Sequence, residues 1–272
     1  MLELSINSVT IYLFGIIWAA EALINYKDNR HLYGLKDSLT NICFGLVVIV
    51  AGLGLKLVAL IFYEFVYHYR IFELENTLWV WLVAIFACDL IFYLFHFMAH
   101  KVNLFWAVHS FHHSSNYFNF TIGLRNHFIH LTYRFLFWSP LCFIGFDPLL
   151  IIFIDNFTSF YQLFLHTQLI GKLGPFELFL NTPSHHRVHH GCNEQYLDKN
   201  FGGLFIIYDR FFGTFCAEDE PVAYGVTKRS KSENPLKIAF HEFYLFYLET
   251  HKKKSLFTKI KILFSNPNNK IY

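Results

Sequence analysis

Residues 81–100 read W-L-V-A-I-F-A-C-D-L-I-F-Y-L-F-H-F-M-A-H. Nearly all are apolar, and about 20 such residues are what a helix needs to cross the hydrocarbon core of a bilayer. The apolar run they belong to spans 78–98 and ends directly in His96 and His100. Side chains four apart share one face of a helix, so these two imidazoles can reach one metal ion from a single turn. The expectation for the whole chain is a helical membrane protein with a metal site at the membrane surface.

Three more apolar stretches flank this one. Residues 7–25 are interrupted only by Glu21, and residues 40–67 contain Gly45, Gly52 and Gly54. At 1.5 Å per residue the second would be about 42 Å long and would have to tilt or kink. Residues 132–165 are broken by Gly145-Phe146-Asp147-Pro148. Gly and Asp-Pro mark a turn, so this stretch is two short spans or a re-entrant hairpin. The first run lacks a basic segment before it and a small-residue cleavage site after it, and it reads as a retained helix. The expected fold is an all-α integral membrane protein with four to five transmembrane or re-entrant helices and a cytosolic, histidine-rich helical cap. It divides into N-terminal membrane helices (1–77), a catalytic domain (78–216) and a cytosolic or interfacial tail (217–272).

Composition agrees. Of 272 residues 54% are hydrophobic, 20% aromatic and 15% charged, against roughly 25% charged in soluble domains. A net charge of +2 gives no field for nucleic acid. Cys43, Cys88, Cys142, Cys192 and Cys216 are scattered and form no C-x-x-C pair, so neither a disulfide framework nor a thiolate zinc site is indicated. Basic residues set the orientation. Lys27, Arg30 and Lys36 lie in the first loop, Arg70 is offset by Glu73 and Glu75, and the tail holds Lys252, Lys253, Lys254, Lys259 and Lys261. The histidine clusters and the tail are therefore expected on the cytoplasmic side. Leu256, Phe257, Ile260, Leu263 and Phe264 recur at helical spacing among those lysines, as in an interfacial helix or a solvated basic tail.

Twelve of the sixteen histidines lie between 96 and 190. After H-F-M-A-H come H-S-F-H-H (His109, His112, His113) and S-H-H-R-V-H-H (His185, His186, His189, His190). Eight imidazoles at spacings of three and four are too many for one tetrahedral ion and suit two ions of higher coordination. His166 closes the 132–165 hairpin on the same side and joins them as a ninth candidate. His185 is either a ligand or a supporting group, His127 and His130 are ambiguous, and His31, His68, His241 and His251 are expected to be unrelated. There is no H-E-x-x-H, which removes the zinc metalloprotease pattern. A bis-histidine haem electron carrier would use one histidine from each of two helices and leave the rest unexplained. A histidine-rich membrane metal-binding or transport protein would place its ligands near the bilayer midplane, whereas these clusters sit at span ends. Two irons in an all-imidazole site, activating oxygen, account for the number.

The order H-x-x-x-H, H-x-x-H-H, H-x-x-H-H resembles the fatty acid hydroxylase and sterol desaturase superfamily. N-L-F-W-A-V-H-S-F-H-H-S-S at 103–115 is similar to its second-cluster segment. N-T-P-S-H-H-R-V-H-H-G at 181–191 and D-K-N-F-G-G-L-F-I-I-Y-D-R-F-F-G-T-F at 198–215 look like its alkylglycerol monooxygenase-like branch. The resemblance implies a membrane-bound, non-haem di-iron oxygenase. Such an enzyme uses O2 and two electrons to hydroxylate or desaturate a lipid, or to cleave an ether bond by hydroxylation. It implies two iron ions on His96, His100, His109, His112, His113, His166, His186, His189 and His190. Asn200 and Asp209 are expected to orient ligand imidazoles by hydrogen bonds. Many relatives carry a glutamate after the second histidine of the first cluster; Lys101 stands there in this chain, which argues against tetrahydropterin. No dinucleotide fingerprint is present, and Gly202-Gly203 reads as a turn, so electrons are expected from an external reductase or small redox carrier. Arg187 and Lys199 are candidates for steering an acidic carrier. Phe92, Tyr93, Phe95, Phe97, Phe157, Phe160, Tyr161 and Phe164 would line an acyl channel or simply pack.

Overall fold

The computed structural model describes residues 2–227, 230, 232–253 and 255–267, with side chains from residue 12 onward. Each apolar run becomes a helix. They are α1 (Leu2–Asp28), α2 (Leu35–His68), α3 (Leu78–Lys101), and the pair α5 (Leu131–Ile144) and α6 (Pro148–Leu165). Between α3 and α5 lies the shorter α4 (Asn103–His113), and after α6 come α7 (Pro183–His189), α8 (Ile207–Phe212), α9 (Pro235–Ala239), α10 (His241–His251) and α11 (Leu256–Phe264). By length and composition α2, α3 and α6 can cross a membrane. The protein is thus an all-α membrane protein. Among the described residues the only β pairing is two isolated bridges, Leu180 with Phe205 and Gly191 with Tyr224.

The breaks between helices follow local chemistry. Asp147 caps α6 by accepting from the amides of Leu149 (2.8 Å) and Leu150 (3.1 Å), and Pro148 takes the first helical position, where its missing N–H costs nothing. Gly145 closes α5 at φ 130°, a conformation that disfavours a side chain. Thr77 caps α3 in the same way through the amide of Val80. Residues 40–67 lie in one continuous helix.

The core between α2, α3, α5 and α6 is built from Tyr63, Cys88, Phe92, Phe95, Trp138, Leu141, Cys142, Ile151 and Ile154. Phe92 and Phe95 therefore fill the bundle and line no channel, and Phe157 is half exposed on its surface. Arg134 on α5 pairs with Asp155 on α6 at 2.6 Å inside this apolar setting. Together these contacts align the ends of α3 and α6, and the histidines collect there.

After α6 the chain returns along the side of α3. The Gly202-Gly203 turn lies against α3 so closely that a Cβ on Gly203 would meet Asp89 Oδ1 at 2.3 Å. Buried Asp89 accepts from the amides of Leu204 (2.5 Å) and Phe205 (3.1 Å). A carboxylate in a membrane helix thus satisfies backbone donors that would otherwise be buried unpaired. The tail is fastened too. Asn103 donates from its amide to Ser265 O (3.0 Å) and from its side chain to Ile262 O (3.0 Å), so α11 docks beside the start of α4. Of the basic tail residues, Lys254 lies outside the described residues.

Candidate metal centre

Four elements deliver nine imidazoles to one place. His96 and His100 come from the last turns of α3, and His109, His112 and His113 from α4. His166 ends α6, and His186, His189 and His190 come from α7, which Thr182 caps and Pro183 begins. These rings form two nests. His96, His100, His109, His113 and His189 make one; His112, His166, His186 and His190 make the other. Within each nest one nitrogen from every ring lies within 4.8 Å of the others.

The helical period explains the sorting. His109 and His113 are four apart and enter one nest, while His112 points to the other. His186 and His190 are four apart and enter the second nest, while His189 points to the first. Each H-x-x-H-H string therefore feeds both nests, one with its outer pair and the other with its middle ring.

The outward nitrogens are held by the backbone. Nδ1 of His96 meets Phe201 O at 3.0 Å, His112 meets Arg125 O at 3.1 Å, His166 meets Gln162 O at 2.8 Å, and His189 meets Lys199 O at 2.9 Å. A carbonyl only accepts, so each Nδ1 carries the proton and each Nε2 is left with a bare lone pair. Nε2 of His112 nevertheless lies 3.3 Å from Nε2 of His166. Two acceptors at that distance repel unless a cation lies between them. Nε2 of His186 stands 2.9 Å from that of His166, and in the other nest Nε2 of His109 stands 3.0 Å from His96 and 3.2 Å from His113. Around an ion bonded to nitrogen at about 2.0–2.1 Å, neighbouring ligands are roughly 2.9–3.4 Å apart. Nε2 of His100, His189 and His190 is buried without a protein partner. The donor set fits one metal ion in each nest.

Electrostatics agrees. Burial pushes His112 down to about 4, partly opposed by its bond to the Arg125 carbonyl. Burial, reinforced by neighbouring imidazoles, holds His109, His113, His166, His186, His189 and His190 well below their ordinary value. These rings are neutral at neutral pH, the form that binds metal.

His100 differs from the rest. Its Nδ1 faces a carboxylate, Asp198 Oδ1, at 3.5 Å, and Lys101 Nζ holds the other oxygen of Asp198 at 2.5 Å. The sequence string D-K-N points to this place, but Asp198, and not Asn200, is the residue beside a ligand ring. Asn200 donates to His185 O (3.1 Å) and Cys216 O (2.7 Å) and accepts from the Cys216 amide. Asp209 accepts from the amides of Phe201 and Gly202, both at 2.7 Å, and from Thr214. Neither bonds an imidazole. They fix the backbone whose carbonyls do, because a buried loop has more unpaired amides than a ring has nitrogens.

Two further expectations change. Arg187 is buried and joined to Glu218, so it cannot face a redox carrier. His185 lies outside both nests, 3.9 Å from Glu177. His127 and His130 lie outside as well, and His130 Nδ1 donates to His127 O. Arg125 carries no sequence signal, yet it links the site to α2. Its carbonyl holds His112, and its guanidinium donates to Asp37 (3.1 Å) and Asn41 (2.7 Å).

A family model described as fatty acid hydroxylase matches residues 81–214. The chain is 38% identical to human alkylglycerol monooxygenase over 235 residues, 86% of this chain and 53% of that protein. It is 34% identical to the Xenopus tropicalis alkylglycerol monooxygenase over 264 residues, 96% of this chain and 59% of that one. It is 30% identical to the ornithine lipid hydroxylase OlsE of Rhizobium tropici over 124 residues, 45% of this chain and 38% of that protein. The chain thus spans between half and three fifths of the two alkylglycerol monooxygenases. No solved structure matches.

Proposed function

Because residues 81–214 place this chain in the fatty acid hydroxylase family, we propose that its two imidazole nests hold two iron ions and that it hydroxylates a lipid with O2 and two electrons. The facing lone pairs of His112 and His166 carry this reading. The family is iron-dependent, and neutral imidazole is a good ligand for iron. When bound, the irons would supply oxygen activation and the oxidation of an unreactive C–H bond. Alkylglycerol monooxygenases among its relatives favour an ether lipid as substrate. Hydroxylation of the carbon next to an ether oxygen gives a hemiacetal, which collapses with C–O cleavage.

The chain's own part is to hold, dry and open the site. Backbone carbonyls fix four of the rings in one tautomer, which leaves little to reorganise when metal binds. The second nest is enclosed by buried residues, Phe118 among them. The first is reached by a pocket that touches His100, His113 and His189 and is lined outward by Trp106, Asp198, Val226, Thr227 and Pro267. We assign small reactants, including O2, to this entrance. Lys101 is spent on Asp198, which supports an electron source other than a pterin: an external reductase or small carrier. The loop and tail lysines support placing the nests on the cytoplasmic side.

The test is metal content followed by turnover. Chain purified from iron-replete cells should hold about two irons without a haem spectrum, and with reductant and O2 it should oxidise an alkylglycerol. Stoichiometric zinc with full activity, or a Soret band, would overturn the assignment.

A further inference from the structure

The return segment after α6 carries large apolar side chains that the described residues leave exposed. Phe176, Leu178 and Phe179 follow the turn at Gly174, and Phe211 and Phe212 end α8. Phe176 is 66% exposed and Phe211 81%. A soluble surface rarely shows so many large apolar groups together.

Their position is fixed by α3. Phe205 stacks on Phe86 with ring centroids 4.8 Å apart, Tyr208 donates to Phe86 O at 2.8 Å, and Phe212 stacks on Tyr93 at 5.2 Å. Phe86 lies ten residues before His96, so about 15 Å along the helix from it. On α3 itself Trp79, Val83 and Phe86 are exposed. The patch therefore continues the outward row of a helix long and apolar enough to span a membrane.

The acidic groups inside the patch are turned inward. Glu177 accepts from the Leu173 amide and from Thr182, both at 3.0 Å. Arg210 is exposed; it donates to Glu177 O at 3.0 Å and lies over the Phe215 ring. At the edge Lys172 pairs loosely with Asp219 at 3.8 Å. This is an apolar surface with its carboxylate withdrawn and cations at its rim, the pattern of a surface that enters a leaflet.

We propose that residues 173–179 and 205–212 form a wedge inserted beside α3 into the bilayer leaflet on the nest side, in contact with acyl chains. The wedge brings the loop that backs His96 and His189 to lipid depth, and it makes the cap part of the membrane domain.

The test is photocrosslinking of the full chain in native membranes. Benzophenone-bearing phenylalanine replaces Phe176 or Phe211, both outward-facing, so the fold is kept. The same probe at Val83 on α3 serves as the lipid-facing reference, and at exposed Glu194 as the aqueous one. After irradiation, lipid adducts are read by mass on the probe-bearing peptide. Adducts at 176 and 211 matching those at 83, with none at 194, are expected. Adducts at 83 but none at 176 and 211, or attachment of these two to another polypeptide, would overturn the wedge. No lipid adduct at 83 either would remove α3 from the bilayer and the wedge with it.

Discussion

Arg187 and Glu218 form a two-pronged ion pair. Nε donates to Oε1 at 2.7 Å and Nη2 to Oε2 at 2.6 Å, and both side chains are largely buried. Nη1 of the same guanidinium holds Thr167 O and Ile170 O. The residue between ligands His186 and His189 thus bolts α7 to the strand of chain leaving His166. Removing one partner strands the other charge, and Arg187→Ala should cost about 3 kcal/mol. The check is thermal unfolding in detergent, with Glu218→Gln milder and the double change to Met recovering most of the loss. Equal stability of Arg187→Ala and the parent would show that the pair is dispensable.

The same pair gives a pH dependence. Burial pushes the Glu218 carboxyl up, but hydrogen bonds from Arg187 and Ser184 and the Arg187 charge outweigh it and hold the group below 4.5. A carboxyl lowered on folding stabilises above its unfolded value and ceases to as pH falls through the folded one. The Arg187 contribution should therefore be intact at pH 6 and fade below about pH 4.5. Unfolding temperatures of the parent and Glu218→Gln should converge in that range. Curves that stay parallel would refute the linkage.

His112 and His113 are neighbours in sequence but belong to different nests. His112→Ala should therefore empty one nest and His113→Ala the other, each leaving about one metal per chain instead of two, and each abolishing lipid oxidation. His130→Asn lies outside both nests and should keep both ions. Metal analysis by mass spectrometry decides. Retention of two ions in both alanine variants would mean that the nests are not metal sites.

Much of this was readable beforehand because helical period and apolar runs are local signals. The 7–25, 40–67 and 78–98 runs and the 145–148 turn became α1, α2, α3 and the α5–α6 corner, with helix ends extending up to five residues beyond the apolar runs. The nine histidines fell together because spacings of three and four already place rings on adjacent faces. The nests themselves were not legible, since His166 meets His112 across 54 residues of chain. Nor was the support beneath the rings. It is made by carbonyls of Phe201, Arg125, Gln162 and Lys199, and any residue type supplies a carbonyl. The role of Asp198 has no local signal for a related reason: its partner Lys101 is 97 positions away, and its φ of 58° exists only in the folded chain.

Asp198 is the lone carboxylate found behind a nest imidazole among the described residues. A carboxylate raises the basicity of the ring it faces. Asp198→Asn should weaken metal in the nest containing His100 by about 10- to 100-fold and leave the other nest unchanged. Competition with a graded chelator would then show one ion leaving early and one at the parent's concentration. Asp198→Glu should restore part of the difference. Simultaneous loss of both ions would point to a collapse of the loop instead.

Asp209 makes a stricter prediction, because its work is entirely on backbone. Its two oxygens accept from Phe201 N, Gly202 N and Thr214 Oγ1, and Phe201 O in turn holds His96. Asparagine keeps one accepting oxygen and turns an N–H group toward an amide that has nowhere else to donate. An unsatisfied buried donor costs about 1–3 kcal/mol, so Asp209→Asn should lower the unfolding free energy of the metal-free chain by that amount. Metal should weaken only through the shifted His96 carbonyl, hence in the nest of His96 and not in that of His112. Thr214→Val removes one of the three donors without leaving an amide unpaired, and it should cost less than Asp209→Asn. Were Asp209→Asn as stable as the parent yet metal-free, Asp209 would have to act on the ions directly, and the backbone role assigned to it would be wrong.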